Sequence, residues 1–205
     1  NIGLRVDLNS GEGHNTKVIT EGNNAKFGST ITEITCNIET LNKNNINIIG
    51  LHSHRGSGIQ DYNSWFNTAK KLLELSKKFN KIEWLDLGGG FGVNNNYPIN
   101  FNKLNDKLTL LKDNNNINLF IEPGRFIVSE CGVLISKVTQ VKVKDTINYI
   151  GIDTGMNSLI RPTLYGSYHK IHNISKLYEE KTKIYNIVGP ICETGDYLGN
   201  NRLLP

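Results

Sequence analysis

The sequence contains little cysteine and no long apolar stretch, and both shortages narrow the classes of protein it can represent. Only three of its 205 residues are cysteines. Cys36, Cys131 and Cys192 are far apart and odd in number, which favours neither a disulfide framework nor a C-x-x-C metal pair. A reducing cytoplasm is therefore the expected location. The chain has no run of about 18 apolar residues, so no membrane-spanning helix is expected.

The charge balance and the first residues exclude further classes. The net charge of +4 is modest and scattered along the chain. In "AKKLLELSKKFN" the lysines lie opposite Leu72, Leu73 and Phe79 on a helix, so we expect a solvated face rather than a nucleic-acid-binding patch. The opening "NIGLRVDLNS" lacks the basic and apolar regions of a signal peptide. It also lacks an initiator Met, and "LRV" is typical of a strand interior, so we expect the true start to lie elsewhere.

Apolar spacing predicts alternating helices and strands in the first part of the chain. Helical periods cover residues 31–41, 64–79 and 101–111, with Ser64 as the N-cap of the second helix, and apolar strands cover 46–51, 82–87 and 117–122. Such alternation with short connections favours parallel β/α units. From Gly132 onward the β-rich segments follow one another, and we predict no helices between them. We therefore predict an α/β domain over residues 1–130 and a β domain over 131–205.

Unusual residues follow three consecutive predicted strands. "HSHRGSG" ends the first, "GGGFG" the second and "EPGR" the third. Ligands of parallel sheets bind at the carboxyl ends of the strands, so we predict one shared site there. A Rossmann fingerprint is disfavoured because, counting from Gly88, the last glycine position is occupied by Val93. The triple Gly88, Gly89 and Gly90 fits either an anion-binding concavity or a tight turn.

The charged groups of these motifs leave several interpretations open. His52 and His54 share one face of a strand, as in metal-dependent barrel hydrolases, but His14, His169 and His172 do not follow later strands, which disfavours a metal site. Glu122 and Arg125 fit either a structural ion pair or a ligand site, with Arg125 suited to a phosphate. Together the motifs favour a phosphorylated ligand with a protonatable nitrogen, a description that pyridoxal 5′-phosphate fits.

Six motifs in order make the sequence resemble the fold-type III pyridoxal-phosphate-dependent amino-acid decarboxylases. They are "GEGHNTKVITEGNNAKFG", "GLHSHRGSGI", "LDLGGGFGV", "IEPGRFIV", "DTGMNSLIRPTLYGSYHKI" and "GPICETGDYL". The resemblance implies an incomplete TIM-like (β/α) barrel followed by part of a β-sandwich or β-barrel domain. It also implies that His54 stacks on the pyridine ring and that Glu122 pairs with the ring nitrogen. The implied phosphate ligands are Ser57, Gly88, Gly89, Gly90, Gly124 and Arg125.

The later motifs carry what the resemblance implies about substrate and assembly. Arg161 and Tyr165, with Arg125 nearby, match the family's ligands for a substrate carboxylate. Relatives acting on ornithine typically carry Asp after the cysteine, so Glu193 and the "RPTLY" block favour meso-diaminopimelate and lysine biosynthesis. The resemblance implies Cys192 as the proton donor. It also implies a homodimer with a shared active site, with Lys26, Cys192 and Asp196 at the interface.

Departures from the family pattern leave alternatives for the activity of the protein. Arg55 stands where the family usually has an apolar residue, and Asp7 where it often has Asn. No segment matches the motif that carries the family's Schiff-base lysine, and the C-terminal tyrosine segment is absent. We therefore expect only the middle of a roughly twofold longer enzyme, without activity on its own. A non-catalytic homologue that dimerises with a complete paralogue, and an ornithine- or arginine-type decarboxylase, remain alternatives.

Overall fold

The chain divides into two compact units, Asn1–Gly132 and Val133–Pro205. The structure, a computed structural model, describes residues 1–93 and 98–205. The first unit contains β1 (Ile2–Asp7), β2 (Ser29–Thr30), α1 (Ile31–Lys43), β3 (Ile48–His52), α2 (Asn63–Ser76), β4 (Trp84–Asp86), α3 (Phe101–Asn115), β5 (Asn118–Phe120) and α4 (Gly124–Val128). The second contains β6 (Val138–Lys144), β7 (Ile147–Ile152), α5 (Arg161–Tyr165), β8 (Lys183–Val188) and β9 (Tyr197–Leu204).

A parallel sheet with strand order β2-β1-β3-β4-β5 forms the first unit. One row of residues in register is Leu4, Leu51, Leu85 and Leu119, and its two central leucines are fully buried. The apolar faces of the helices join these leucines in one hydrophobic core. The predicted fold class, an incomplete α/β barrel followed by a separate sheet, is confirmed.

The opposite face of the parallel sheet is polar toward the carboxyl ends of its strands. Gly3, Gly50 and Trp84 are in register, and the Trp84 ring of β4 lies over the two glycines, which are on β1 and β3. The next row toward the carboxyl ends consists of Arg5, His52, Asp86 and Phe120. Charged and imidazole side chains thus occupy the end of this face where the strands give way to loops.

The three predicted helices form, but Ser64 does not cap the second one. The N-cap of α2 is Tyr62, which makes no side-chain cap bond. Ser64 is buried inside the first turn, and its hydroxyl donates to Glu12 Oε2 at 2.6 Å. By contrast, Thr30 and Glu33 form a complete capping box at the start of α1. The Ser64 hydroxyl, which the local pattern predicted as a helix cap, therefore donates instead to Glu12, a residue distant in the sequence.

The second unit is a mixed sheet with strand order β6-β7-β8-β9. Its outer pairs are antiparallel and the central pair, β7 with β8, is parallel. The expectation of no helix in this part was wrong, because α5 lies between β7 and β8. A small core holds the sheet together, formed by Ile152, Ile187, Leu198 and Leu204.

Candidate active site at the strand ends

The three motifs predicted to share a site do lie side by side. β3, β4 and β5 end in register at His52, Asp86 and Phe120. Backbone hydrogen bonds continue past these ends, with Leu87 N–H donating to Phe120 O at 2.9 Å and Glu122 N–H donating to Gly88 O at 2.9 Å. The loops that carry His54, the glycine triple and Glu122 are therefore held against one another at one edge of the sheet.

Two imidazoles face the carboxylate of Glu122. Its Oε2 lies 3.4 Å from His52 Nε2 and 4.0 Å from His54 Nδ1. The Glu122 side chain is 53% exposed, and it follows β5, an edge strand with one neighbour. The carboxylate therefore lies beside the imidazoles and is open to a ligand.

His54 is held as a neutral imidazole. Its Nδ1 accepts the N–H of Gly89 at 3.0 Å, so the ring proton is assigned to Nε2. Burial lowers the pKa of His54 below its ordinary value of 6.5, and the nearby Arg5 guanidinium lowers it further. Glu122 acts in the opposite direction without reversing the shift. An uncharged ring is suited to lie flat against an aromatic ligand.

The anion-binding groups also meet. The Nη2 of Arg125, in the first turn of α4, donates to Ser57 Oγ at 3.0 Å. A Cβ built on Gly124 would have no atom of the described chain within 4 Å. A guanidinium and a hydroxyl thus lie together, and the residue before Arg125 is an unobstructed glycine; this donor set suits a phosphate.

The glycine triple has a structural reason of its own, besides the phosphate contact that the resemblance implies. A Cβ on Gly88 would lie 2.7 Å from Ser53 O, and one on Gly89 would overlap the carbonyl oxygen of Glu122. At Gly90, where φ is +84°, it would overlap the carbonyl of Gly56. Close packing between neighbouring strand ends therefore requires these glycines, whether or not a phosphate approaches them.

Sequence reasoning missed the groups that brace the His54 loop. The N–H of Glu12 donates to Arg55 O at 3.1 Å, and the Thr20 hydroxyl donates to His54 O at 2.5 Å. Buried Glu21 accepts from the Ser53 hydroxyl. The motif "GEGHNTKVIT" was the available signal, but its partners are more than 30 residues away.

Arg55, which departs from the family pattern, is an anchor in this structure. Its Nε donates to Ser10 O at 2.6 Å and its Nη1 to Ser64 O at 3.2 Å, while Nη2 lies 3.4 Å from Glu12 Oε2. The side chain is 17% exposed. It joins the 10–12 segment to the first turn of α2, a role that an apolar side chain cannot fill.

Asp86 is a further residue to which the sequence motifs assigned no role. One ligand atom each from His52, Asp86 and Glu122 lies within 4.8 Å of the others. The sequence disfavoured a metal site because no further histidine follows the later strands. The carboxylates of Asp86 and Glu122 do lie at the ends of those strands. Asp86 Oδ1, however, already accepts the N–H of Gly88 at 2.9 Å, which gives that carboxylate a role in shaping the glycine turn.

Apart from Arg125, which lies in the first unit, the residues assigned to substrate lie in the second unit. In α5, the Arg161 guanidinium stacks over the Tyr165 ring at 5.5 Å and donates to Ser167 Oγ at 3.1 Å. Cys192 is exposed, as are Cys36 and Cys131, and none of the three forms a disulfide. Glu193 is also exposed, with Oε1 accepting the N–H of Gly195 at 3.3 Å.

Asp196 and Lys26, the two residues expected to pair at a subunit interface, differ in exposure within the single chain. Asp196 is 2% exposed, and its carboxylate accepts N–H groups of its own unit. Lys26 is exposed, with its ammonium 5.5 Å from the Phe27 ring centre. The expected Lys26–Asp196 pair joins two subunits and stays a prediction.

Comparison with known proteins settles the family. Residues 1–129 match the pyridoxal binding domain of the pyridoxal-dependent decarboxylases, and residues 125–205 match the C-terminal sheet domain of the same family. The chain belongs to the pyridoxal-dependent decarboxylases. Among the described residues of this decarboxylase chain, no helix is long and apolar enough to cross a bilayer.

Several curated and solved relatives are diaminopimelate decarboxylases. The diaminopimelate decarboxylase of Buchnera aphidicola subsp. Baizongia pistaciae is 37% identical over 98% of this chain and 51% of its own length. That of Aquifex aeolicus is 35% identical over 98% of this chain and 50% of its own. The crystal structure of the Helicobacter pylori enzyme complexed with L-lysine has a TM-score of 0.88 at 26% identity, covering 100% of this chain and 52% of that one. The chain thus spans about half the length of the relatives it matches.

The strand-end residues of this decarboxylase chain fit pyridoxal phosphate. The cofactor has a phosphate at one end and a pyridine nitrogen at the other. Arg125, Ser57 and the open side of Gly124 suit the phosphate, and the half-exposed carboxylate of Glu122 suits a protonated ring nitrogen. The neutral ring of His54 suits the aromatic face between them.

Proposed function

We propose that the whole protein is a pyridoxal-phosphate-dependent decarboxylase that converts meso-2,6-diaminopimelate to L-lysine and CO₂. The observation that carries the proposal is the joint placement of Glu122 beside His54 and of Arg125 beside Ser57 at one edge of the sheet. The shared name of the relatives supports the substrate. Because the chain spans half their length, the proposal concerns the protein expressed from its complete gene.

We assign the cofactor ligands of the first unit by chemistry. Arg125 and Ser57 would hold the phosphate, Glu122 would keep the ring nitrogen protonated, and His54 would stack on the ring. Bound pyridoxal phosphate supplies a sink for the electron pair that the departing CO₂ leaves at Cα. A protonated ring nitrogen deepens that sink, so Glu122 would raise the rate of CO₂ loss.

The second unit would supply the groups that recognise substrate. Arg161 and Tyr165 suit the distal carboxylate of diaminopimelate, and Glu193 suits its distal ammonium. Holding that end fixes which bond at the reacting carbon stands perpendicular to the ring, and therefore which carboxylate leaves. Cys192 would return a proton to Cα through its exposed thiol.

A homodimer in the cytoplasm is the proposed working form. The cysteine-bearing loop is exposed in this chain and so is accessible to a second subunit. Three unpaired cysteines favour a reducing compartment.

The decisive experiment compares substrates. The protein from the complete gene should release CO₂ faster from carboxyl-labelled meso-diaminopimelate than from ornithine or arginine, and Glu193→Asp should lower that preference. Faster release from ornithine or arginine would contradict the substrate and favour the alternative decarboxylases. Release from none of the three, with cofactor bound and a stable complex with a complete paralogue, would favour the non-catalytic homologue.

A further inference from the structure

Two loops of the second unit meet at the buried carboxylate of Asp196. Its Oδ1 accepts the N–H of Met156 at 2.6 Å, from the loop that follows β7. Its Oδ2 accepts the N–H of Ile191 at 2.9 Å, from the loop that follows β8. Both donors lie outside the regular strands, so these bonds belong to the loops themselves.

Backbone packing around Asp196 is close. Its N–H donates to Glu193 O at 3.0 Å, and its carbonyl accepts the N–H of Gly189 at 3.0 Å. A Cβ on Gly155 would lie 2.6 Å from Asp196 Oδ2, and one on Gly189 would overlap the same oxygen. The carboxylate therefore fills the space that the two glycines leave, and a different side chain would disturb both loops.

The helix that carries Arg161 and Tyr165 is tied to the same loop. The hydroxyl of Thr163, in the middle of α5, lies 2.9 Å from Gly195 O and 3.2 Å from Tyr197 O. Asp196 stands between these two acceptors in the chain. The residues proposed to bind substrate are thus linked to Asp196 through one hydroxyl.

The burial of the Asp196 carboxylate favours a structural role within its own chain. Burying a carboxylate is costly unless hydrogen bonds satisfy it, and bonds to a charged acceptor are the strong ones. Asp196 is 2% exposed and takes part in none of the ion pairs found among residues 1–93 and 98–205. Two amides from separate loops therefore satisfy it, and it in turn sets the distance between those loops.

We propose that Asp196 is a positioning residue that fixes the Cys192–Glu193 loop against the loop after β7 and against α5. Its role in turnover rests on the proposed function, because Cys192 and Glu193 are assigned to substrate there. The structural part of the proposal does not rest on the proposed function. The bonds it rests on are made within one chain and do not require Lys26.

Amide hydrogen exchange on the 205-residue chain tests the structural part. In the wild type, the amides of Met156 and Ile191 should exchange as slowly as strand amides of β8 and β9. In Asp196→Ala, these two amides should exchange at least about tenfold faster, the scale of a lost charge-assisted bond, while the strand amides keep their rates. Rapid exchange of both amides in the wild type would overturn the proposal without reference to any variant.

Two matched variants make the test specific. Asp153 Oδ1 accepts the N–H of Lys137 at 2.9 Å in the same unit, so Asp153→Asn should leave the Met156 and Ile191 amides slow. Lys26→Met should also leave them slow. Faster exchange in Lys26→Met would show that Asp196 depends on that lysine and would overturn the intrachain assignment.

Kinetics on the protein from the complete gene test the positioning role. Asp196→Asn should lower kcat for meso-diaminopimelate by about tenfold or more while the affinity for pyridoxine 5′-phosphate stays unchanged. Unchanged kcat with accelerated exchange would overturn the positioning role. If the wild type released no CO₂ from any substrate, the proposed function would fail while the exchange result still stood.

Discussion

Replacing Gly89 by alanine should destabilise the first unit because neighbouring strand ends leave no room for a methyl group. A Cβ at this position would overlap the carbonyl oxygen of Glu122 and lie 3.1 Å from its carbonyl carbon. Those atoms are backbone, so no side-chain rotation relieves the contact. The carbonyl of Gly89 also accepts the indole N–H of Trp65 at 3.0 Å, so any shift propagates to the core.

The expected cost follows from the size of that overlap. Forcing one extra carbon into packed surroundings costs about 1–3 kcal/mol, and a backbone obstacle places Gly89→Ala in the upper half of that range. The midpoint of thermal unfolding should fall by roughly 2–4 °C for each kcal/mol in a domain of about 150 residues. The displaced Glu122 should also lose its position beside His54.

Gly124→Ala is the matched control, because a Cβ there meets no atom of the described chain within 4 Å. Urea unfolding monitored by tryptophan fluorescence is the assay. Both tryptophans, Trp65 and Trp84, lie in the first unit, so the signal reports on that unit alone. Gly124→Ala should keep the wild-type midpoint of urea unfolding and should weaken binding of pyridoxine 5′-phosphate. Equal midpoints for Gly89→Ala and the wild type would refute the packing argument.

Two further perturbations address the loop around His54. Because burial lowers the folded-state pKa of His54, its contribution to stability is present above about pH 6.5 and is lost as pH falls. The free energy of unfolding should therefore fall more steeply between pH 7.5 and 5.5 in the wild type than in His54→Asn, and parallel profiles would contradict this. Arg55→Met should lower the free energy of unfolding by about 1.5–3 kcal/mol, since the carbonyls of Ser10 and Ser64 lose a charged donor. Asn67→Ala, at an exposed position of α2 near Ser64, should change the free energy of unfolding little, and equal losses would contradict the anchor role.

Periodicity predicted much of the fold because the core obeys it. The helices α1, α2 and α3 and the strands β3, β4 and β5 appear where apolar spacing placed them, within a few residues. Leu51 and Leu85 illustrate the reason, since each lies on the helix-covered face of a parallel strand and is fully buried. The helix α5 was missed because it has five residues, too few to show a period. Pro162 near its start was the available signal.

Long-range contacts explain the remaining differences. Ser64 satisfies the pattern of a cap, but Glu12 takes its hydroxyl. The glycine triple satisfies the pattern of a phosphate loop, yet its close contacts are with carbonyl groups of adjacent strand ends. Asp196 belongs to a motif shared with the family, while its burial depends on two loops that only the folded chain brings together. Local sequence encodes none of these partners.

Equilibrium binding of pyridoxine 5′-phosphate and of pyridoxine tests the central claim most directly. Neither compound has an aldehyde that would react with surface lysines, and they differ only in the phosphate. The wild-type chain should prefer the phosphorylated compound, and Arg125→Ala should reduce that preference by about 30- to 150-fold, which corresponds to about 2–3 kcal/mol for a charge-assisted contact. Equal affinity of the wild type for both compounds, or a preference unchanged by Arg125→Ala, would contradict a phosphate site at Ser57, Gly124 and Arg125.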